Sequence, residues 1–251
     1  MSTVVHVILS GSDRGTPSGE QFMLTYSGKS LFQLCIERNA SFADRTLIIG
    51  HNDYYKGAKD YFKLAGHRNY LNIIEEDYFT NLYSVAFAAL SADADEVLLV
   101  TPSNYVIHNE VTYNESIAKI ILYAEKDLIG VLSLNPDQAI DNMPFLKYDK
   151  DKIIAVEPCL NNKQAKALSK SKKHTSYSGV ICTKAGVYLE ELKTLAPEVF
   201  KVAQNIWKER IGQYVTVDTN VKAPLTTIED ALLIVSDKVK VIVKAASMLQ
   251  A

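Results

Sequence analysis

Val4-Val5-His6-Val7-Ile8-Leu9-Ser10-Gly11-Ser12-Asp13-Arg14-Gly15-Thr16 is a β-branched apolar run that opens straight into small and polar residues. Val4 to Ser10 has the composition of a buried strand, and the change of character at Gly11 marks its end. Glycines in such a loop let a backbone approach a phosphate, its N–H groups can point inward as an anion nest, and Arg14 supplies a counter-charge. Taken alone, the same residues also read as a strand followed by a polar turn. The loop is not a Walker loop, since no G-K-[ST] follows at that spacing, and it is not G-x-G-x-x-G.

Outward from this stretch the strand signal returns at Thr46 to Gly50, Leu71 to Ile74 and Glu96 to Thr101, alternating with helical patterns. Lys29 to Ala40 places Leu31, Leu34, Cys35 and Arg38 at helical spacing, and Phe79 to Ser91 puts Leu82, Val85, Ala86, Ala89 and Leu90 on one stripe. Asn114 to Lys126 carries Ile117, Ile120, Ile121 and Ala124 at the same period and leads into a strand at Leu128 to Leu134. Further strands are expected at Lys152 to Val156, Ser178 to Cys182 and Val239 to Lys244, with helices at Glu190 to Thr194, Pro197 to Arg210 and Ile228 to Val235. This is the βαβ rhythm of an α/β fold with a mostly parallel sheet flanked by helices. No Pro/Gly/Ser-rich stretch separates two patterned halves, so residues 1–251 are expected to form a single domain. Such sheets take ligands at the carboxyl ends of their strands, which directs attention to the loops after Ser10, Thr101 and Cys182.

Composition narrows the function classes. The 27 basic and 29 acidic side chains give a formal charge of −2, which supplies no global field for nucleic-acid binding. Cys35, Cys159 and Cys182 match neither a disulfide framework nor C-x-x-C, and read as buried small hydrophobes. The first residues lack a basic leader and no apolar run is long enough for a membrane span, so a cytoplasmic protein with no membrane partner is expected. The five histidines have no metal-site spacing. Glu75-Glu76-Asp77 reads as a solvated cluster at a helix start, the alternative being a cation site at the sheet edge. Lys163, Lys166, Lys170, Lys172 and Lys173 read as a solvated helix face and loop, the alternative being a phosphate or acidic partner surface. Ser178 has no histidine and carboxylate at hydrolase spacing. Tyr54, Tyr55, Tyr61 and Tyr83 suit either stacking on a base or sugar, or half-buried core edges.

Ile8-Leu9-Ser10-Gly11, Gln21-Phe22, Gly28-Lys29-Ser30-Leu31-Phe32-Gln33-Leu34 and Glu37-Arg38-Asn39 together resemble the opening of the mannose-1-phosphate guanylyltransferase family in order and approximate spacing. Val97 to Ile107 resembles that family's central strand and P-S-D-H loop. Glu157-Pro158 resembles its E-K-P motif, Tyr177-Ser178-Gly179 its N-S-G motif, and Thr227-Ile228-Glu229-Asp230-Ala231 its S-I-D-Y-A segment. The order holds across nearly the whole chain. The resemblance implies a Rossmann-like nucleotide-diphospho-sugar transferase domain of the GT-A-like kind and an activity joining GTP to mannose 1-phosphate, with Mg²⁺ as cofactor. On it, Ser10, Gly11, Ser12, Gly15, Thr16, Pro102 and Ser103 would bind the nucleotide, Arg14 and Asn104 would serve the chemistry, and Glu157, Tyr177 and Gly179 would bind the sugar. A homodimer, or pairing with an active paralogue, is the oligomeric expectation it carries.

The departures fall on the residues that would do the work. Glu20 stands where the family's P-K-Q-F lysine would fall, and an anion beside a triphosphate is unfavourable by Coulomb's law. Asn104 replaces the P-S-D-H aspartate at the metal position, and an amide oxygen is a weaker Mg²⁺ ligand. Tyr105 replaces the histidine, Glu157-Pro158 lacks the intervening lysine, and Tyr177 replaces the asparagine of N-S-G. The arginine of E-P-x-x-R-N-T-A-P is gone from Glu75 to Tyr83, and no second metal aspartate from a D-V-G-S-W segment is expected beyond Val243. These losses point to altered or absent catalysis, and to the alternative of a non-catalytic subunit that binds a nucleotide sugar.

Overall fold

The computed structural model describes residues 2–10, 25–52, 70–77, 79–103, 105–134, 144–159, 161–216, 224–246 and 248–250. Strand β1 (Val4–Ser10) lies inside the sheet, paired in parallel with β4 (Arg45–His51) on one side and β6 (Val97–Pro102) on the other. Beyond β4 come β5 (Tyr70–Glu75) and the short β12 (Tyr214–Val215), both parallel as well. The short β2 (Thr25–Tyr26) and β3 (Lys29–Ser30) form a separate hairpin. A strand buried on both faces reads as a continuous apolar run, which is why β1, β4 and β6 are legible in sequence.

On the other side of β6 the direction reverses. Strand β11 (His174–Lys184) runs antiparallel to β6, to β8 (Ile129–Leu134) and to β9 (Phe145–Asp149), while β13 (Val239–Ala246) adds to β8 in parallel. Strand β10 (Lys152–Glu157) closes a hairpin with β9, and β7 (Tyr105–Ile107) pairs with β14 (Met248–Gln250). The reversal corrects one expectation. Lys184 pairs with Val97, at the beginning of β6, so the chain after Cys182 leaves at the amino edge of the parallel strands. The part of β11 that reaches the carboxyl edge is its first half.

Helices cover both faces. Helix α2 (Asn81–Leu90) lies on one face with α5 (Ala185–Leu195) and α6 (Pro197–Glu209), against Val5, Val7, Leu98 and Val100. Helix α3 (Glu110–Ala124) lies on the other, setting Tyr113, Ile117 and Ile120 against Val4, Val97 and Leu99, and α1 (Leu31–Asn39) packs on Ile8 and Ile48. The period-2 alternation of β1 is what divides Val5 and Val7 from Val4 and Ile8. Ser30 and Asn109 cap α1 and α3 by accepting from the N–H groups of Gln33 and Thr112, and Pro197 opens α6 where its missing N–H costs nothing.

The β9 strand and the short β2, β3, β7, β12 and β14 escape the sequence reading, while the helix face read at Lys163 and Lys166 is α4 (Asn162–Ser169), capped by Asn161 and with both lysines exposed. The helix expected over Ile228 to Val235 is instead a π-helical turn, Glu229–Leu233. No described helix is long and apolar enough to cross a membrane. Cys35, Cys159 and Cys182 are buried and unbridged.

The closest approach in the sheet is between Gly50 and Ser10, where a methyl at Gly50 would lie inside the van der Waals envelope of the Ser10 carbonyl and hydroxyl oxygens. The clash is largely with backbone. Gly50→Ala is therefore expected to lower stability by ~2 kcal/mol or more. Urea denaturation of the variant and the parent checks this, and an unchanged midpoint would refute the close packing of β1 on β4.

Candidate functional site

The ends of β1 and β6 meet at one edge, where Leu9 pairs with Pro102. Ser10, the last residue of β1, is buried and donates its hydroxyl to the Ile49 carbonyl at 3.1 Å, so its own proton is used within the sheet. Pro102 ends β6 and the buried Ser103 follows it in the turn to β7. Gly11, Ser12, Arg14, Gly15, Thr16 and Asn104 lie outside the described residues, as do Glu20, Tyr54, Tyr55 and Tyr61.

Gly179 joins the two halves of this edge. Its φ of +74° is a left-handed conformation that favours glycine, and a Cβ there would press on the Pro102 ring at 2.8 Å. The register of β11 against β8 shifts between Tyr177 and Ile181, so Gly179 sits in a bulge, a device that re-aims neighbouring side chains. Tyr177 is thereby placed beside the end of β6. Glu157 lies at the far side, in line with Ser176 across β9, since Ser176 pairs with Phe145 and Phe145 with Glu157. Two strand spacings amount to about 10 Å. Its carboxylate contacts His174 Nε2 at 3.4 Å, and His174 Nδ1 in turn meets Ser171 Oγ at 2.7 Å. The structure thus gathers Ser10, Pro102, Ser103, Tyr177 and Gly179 closely, with Glu157 on the margin.

Beneath this edge lies a polar cluster that the sequence does not announce. His6 Nε2 meets Thr101 Oγ1 at 2.8 Å, and Cys35 Sγ meets the same oxygen at 3.2 Å. Burial first, and the positive charge of Arg38 second, push His6 down to about 3, so it is a neutral imidazole. Cys35 is more than a small hydrophobe, but burial raises its thiol above the ordinary value and it is no nucleophile.

Glu75 is the larger correction. Rather than a solvated carboxylate, it is fully buried at the end of β5, accepting from Ser84 Oγ at 2.6 Å. Desolvation pushes it up to about 8, partly offset by the Ser84 hydrogen bond. Only Glu76 of the acidic run is fully exposed. A second carboxylate, Glu229, stands where the π-helical turn meets α2. Asn81 Nδ2 donates to both its oxygens, at 3.3 and 3.5 Å, while Asn81 Oδ1 accepts from the Ile228 N–H at 3.2 Å. Thr80 Oγ1 donates to the Thr226 carbonyl at 2.8 Å, completing the clasp. Desolvation raises Glu229 as well. Its position in Thr227-Ile228-Glu229-Asp230-Ala231 was the available sequence signal.

These donors do not fit a Mg²⁺ site. Glu75 is buried and held largely neutral at neutral pH, Glu229 is tied to Asn81, and no group of three or more His, Cys, Asp or Glu side chains converges among the described residues.

A mostly parallel sheet in which the antiparallel β11 brings a second set of residues to the carboxyl edge of β1 and β6 defines the class: a Rossmann-like fold of the nucleotide-diphospho-sugar transferase type. Within this class the sequence is similar to mannose-1-phosphate guanylyltransferases. It is 25% identical over 202 residues to mannose-1-phosphate guanylyltransferase RfbM of Salmonella typhimurium, covering 74% of this chain and 41% of that protein. The chain spans less than half the length of the curated relatives it matches. Among solved structures, mannose-6-phosphate isomerase from Helicobacter pylori superposes with a TM-score of 0.83 at 24% identity, covering 99% of this chain and 100% of that one. Mannose-1-phosphate geranyltransferase from Thermus thermophilus does so with a TM-score of 0.78 at 17% identity, covering 99% and 76%. No protein-family model matches the chain.

Glu75 gives a pH dependence with a definite sign. Its folded value of about 8 lies above the ordinary 4.5, so between those limits the folded state holds more protons than the unfolded one and stability falls as pH rises through that window. Glu75→Gln keeps an oxygen for Ser84 and cannot ionise. Its stability relative to the parent is expected to rise between about pH 5 and about pH 8.5 by a few kcal/mol at most. Thermal melts across that range check it, and a difference that stays flat would show Glu75 not to be desolvated.

Proposed function

We propose that the chain is a sugar-1-phosphate nucleotidyltransferase-like protein, most like mannose-1-phosphate guanylyltransferase, which binds GTP and mannose 1-phosphate across the carboxyl edge. The observation that supports this reading is the meeting of Ser10, Pro102 and Gly179 at one end of the sheet, where on this reading the nucleotide and the sugar would lie side by side. In the reaction a phosphate oxygen of mannose 1-phosphate attacks the α-phosphorus of GTP in line. The bond from that phosphorus to the bridging oxygen breaks, and pyrophosphate leaves with GDP-mannose formed.

On this reading the loop with Gly11, Ser12, Gly15 and Thr16 wraps the phosphates together with Ser10, Pro102 and Ser103, and Arg14 meets the charge that grows on the phosphate oxygens. Glu157, Tyr177 and Gly179 hold the sugar so that its phosphate sits near the attack line. Asn104 stands at the metal position. A second reading rests on the sequence departures at Glu20, Asn104 and Tyr177: a non-catalytic nucleotide-sugar-binding or regulatory subunit, alone as a homodimer or beside an active paralogue.

Titration calorimetry with GTP, GDP-mannose and mannose 1-phosphate, with and without Mg²⁺, followed by a pyrophosphate-release assay on the same sample, tests both. Magnesium-dependent GTP binding with pyrophosphate release is the expected signature of the synthase. Binding of GDP-mannose without turnover assigns the chain to the second reading, and silence with all three ligands would overturn the shared proposal.

A further inference from the structure

Glu157 ends β10, and its side chain is 36% exposed on the margin of the carboxyl edge. Among the described residues one side chain bonds to its carboxylate: His174, whose Nε2 lies 3.4 Å from Oε1. The two residues belong to β10 and β11, which are separated by β9, so the imidazole reaches over a strand to meet the carboxylate. The ring is fixed at its other nitrogen as well. Ser171 Oγ lies 2.7 Å from His174 Nδ1 and accepts from the Lys173 N–H at 3.2 Å, while the Ser171 N–H donates to the Leu168 carbonyl at 2.9 Å, at the end of α4. Counting protons gives each bond a direction. Carboxylate oxygens only accept, so the Nε2 that meets Oε1 carries a hydrogen. A neutral imidazole then has a bare Nδ1, which accepts the Ser171 hydroxyl proton, and that hydroxyl keeps a lone pair for Lys173. The relay from Ser171 through His174 to Glu157 thus satisfies every group with no charge on the ring.

We infer that His174, set by Ser171, is a positioning residue that holds Glu157 with one carboxylate oxygen occupied and the other presented to the sugar. The inference rests on the function proposed above, in which Glu157 contacts the sugar, and adds what fixes the carboxylate there. A glutamate at the end of an outer strand samples several rotamers, and ordering it when a ligand arrives costs entropy. His174 moves that ordering from the binding step into the fold. It is in turn immobile because Ser171 is bonded through both its main-chain N–H and its hydroxyl oxygen. The motif reading of Glu157-Pro158 found the carboxylate but not its partner, since His174 is 17 residues away and meets it only because β11 and β10 flank the same strand.

Calorimetry on the intact chain with mannose 1-phosphate and with GTP compares the parent with His174→Phe, which keeps a ring and removes both nitrogens, and with His174→Gln, whose amide N–H can stand where Nε2 does. His174→Phe is expected to weaken mannose 1-phosphate by about fivefold, the size of one side-chain ordering cost, with GTP binding unchanged. His174→Gln is expected to recover most of that loss. In a Glu157→Ala background His174→Phe is expected to change nothing further, because a residue that acts through Glu157 has no effect once the carboxylate is gone. A loss of the same size in both backgrounds, an equal loss of GTP, or parent-like affinity in His174→Phe overturns the inference and leaves the proposed function standing. Ring-nitrogen NMR of the ligand-free parent, with the His174 signals assigned by their loss in His174→Phe, is expected to show the hydrogen on Nε2; a neutral ring with its hydrogen on Nδ1 overturns the inference whatever the chain binds. Thermal midpoints near that of the parent exclude a folding defect, and Ser171→Ala, expected to weaken mannose 1-phosphate in the same direction, replaces His174→Phe in the binding comparison if that variant does not fold. A parent chain that binds no mannose 1-phosphate overturns the sugar half of the proposed function and the role of His174 with it.

Discussion

The carboxyl edge depends on the bulge in β11. This strand is antiparallel to everything it touches, pairing with β6 over Ile181 to Lys184, with β8 along its other edge and with β9 at its start. A regular strand could not leave β6 for β9 on the same edge without a change of course. The left-handed Gly179, tight against Pro102, is that change of course. With it, Tyr177 stands over the end of β6 and the β9–β10 hairpin extends the sheet past the parallel strands. Any side chain at 179 would have to adopt a disfavoured φ and displace the proline ring together.

The polar groups near this edge are distributed by depth. One layer down, His6, Thr101 and Cys35 satisfy one another, and the neighbouring positive charge of Arg38 together with burial keeps the His6 imidazole neutral. At the end of β5, Glu75 sits with a single short hydrogen bond from Ser84 in a place that disfavours its ionised form. Glu229, at the junction of the π-helical turn with α2, is bonded to Asn81. Only the last of these is both partly exposed and surrounded by groups that hold a carboxylate in one orientation. The electrostatics therefore separate carboxyl groups of similar chemistry into one suppressed and one positioned.

How far the sequence discloses this follows from what each feature depends on. Val4 to Ser10, Thr46 to Gly50 and Glu96 to Thr101 were legible because both faces of those strands are largely buried and most of their residues are apolar or small. Phe145–Asp149 was not, since Phe-Leu-Lys-Tyr-Asp is half polar and its strand character comes from pairing with β10 and β11. The wrong edge assigned to the chain after Cys182 has the same cause: strand direction is a property of topology, and a run such as Ser178 to Cys182 reads alike either way. The acidic run at Glu75 misled because composition cannot say that alternation along β5 and the approach of Ser84 turn one carboxylate inward while Glu76 remains outside. Gly179 and Pro102 were each found in motifs, but their contact belongs to the fold.

Retention of this edge alongside the loss of so many ionic groups has a physical logic. A cation and an aspartate in a triphosphate site are held apart from the core and contribute little to folding, so replacing them with Glu20 and Asn104 leaves the sheet untouched. Tyr177, Glu229 and Asn81 differ in kind. Asn81 is bonded to Glu229 and to the Ile228 backbone while Tyr177 is buried in the core, so removing one would strand a buried group or open a void. Change is therefore cheap at the positions of Glu20 and Asn104 and costly around Glu229. A chain that diverged under selection for stability alone would keep the cluster around Glu229 and lose the phosphate clamps first, so the cluster's persistence is by itself no sign of activity. What would distinguish selection for a ligand is a feature that folding does not require: a side chain whose loss leaves the thermal midpoint unchanged and abolishes binding.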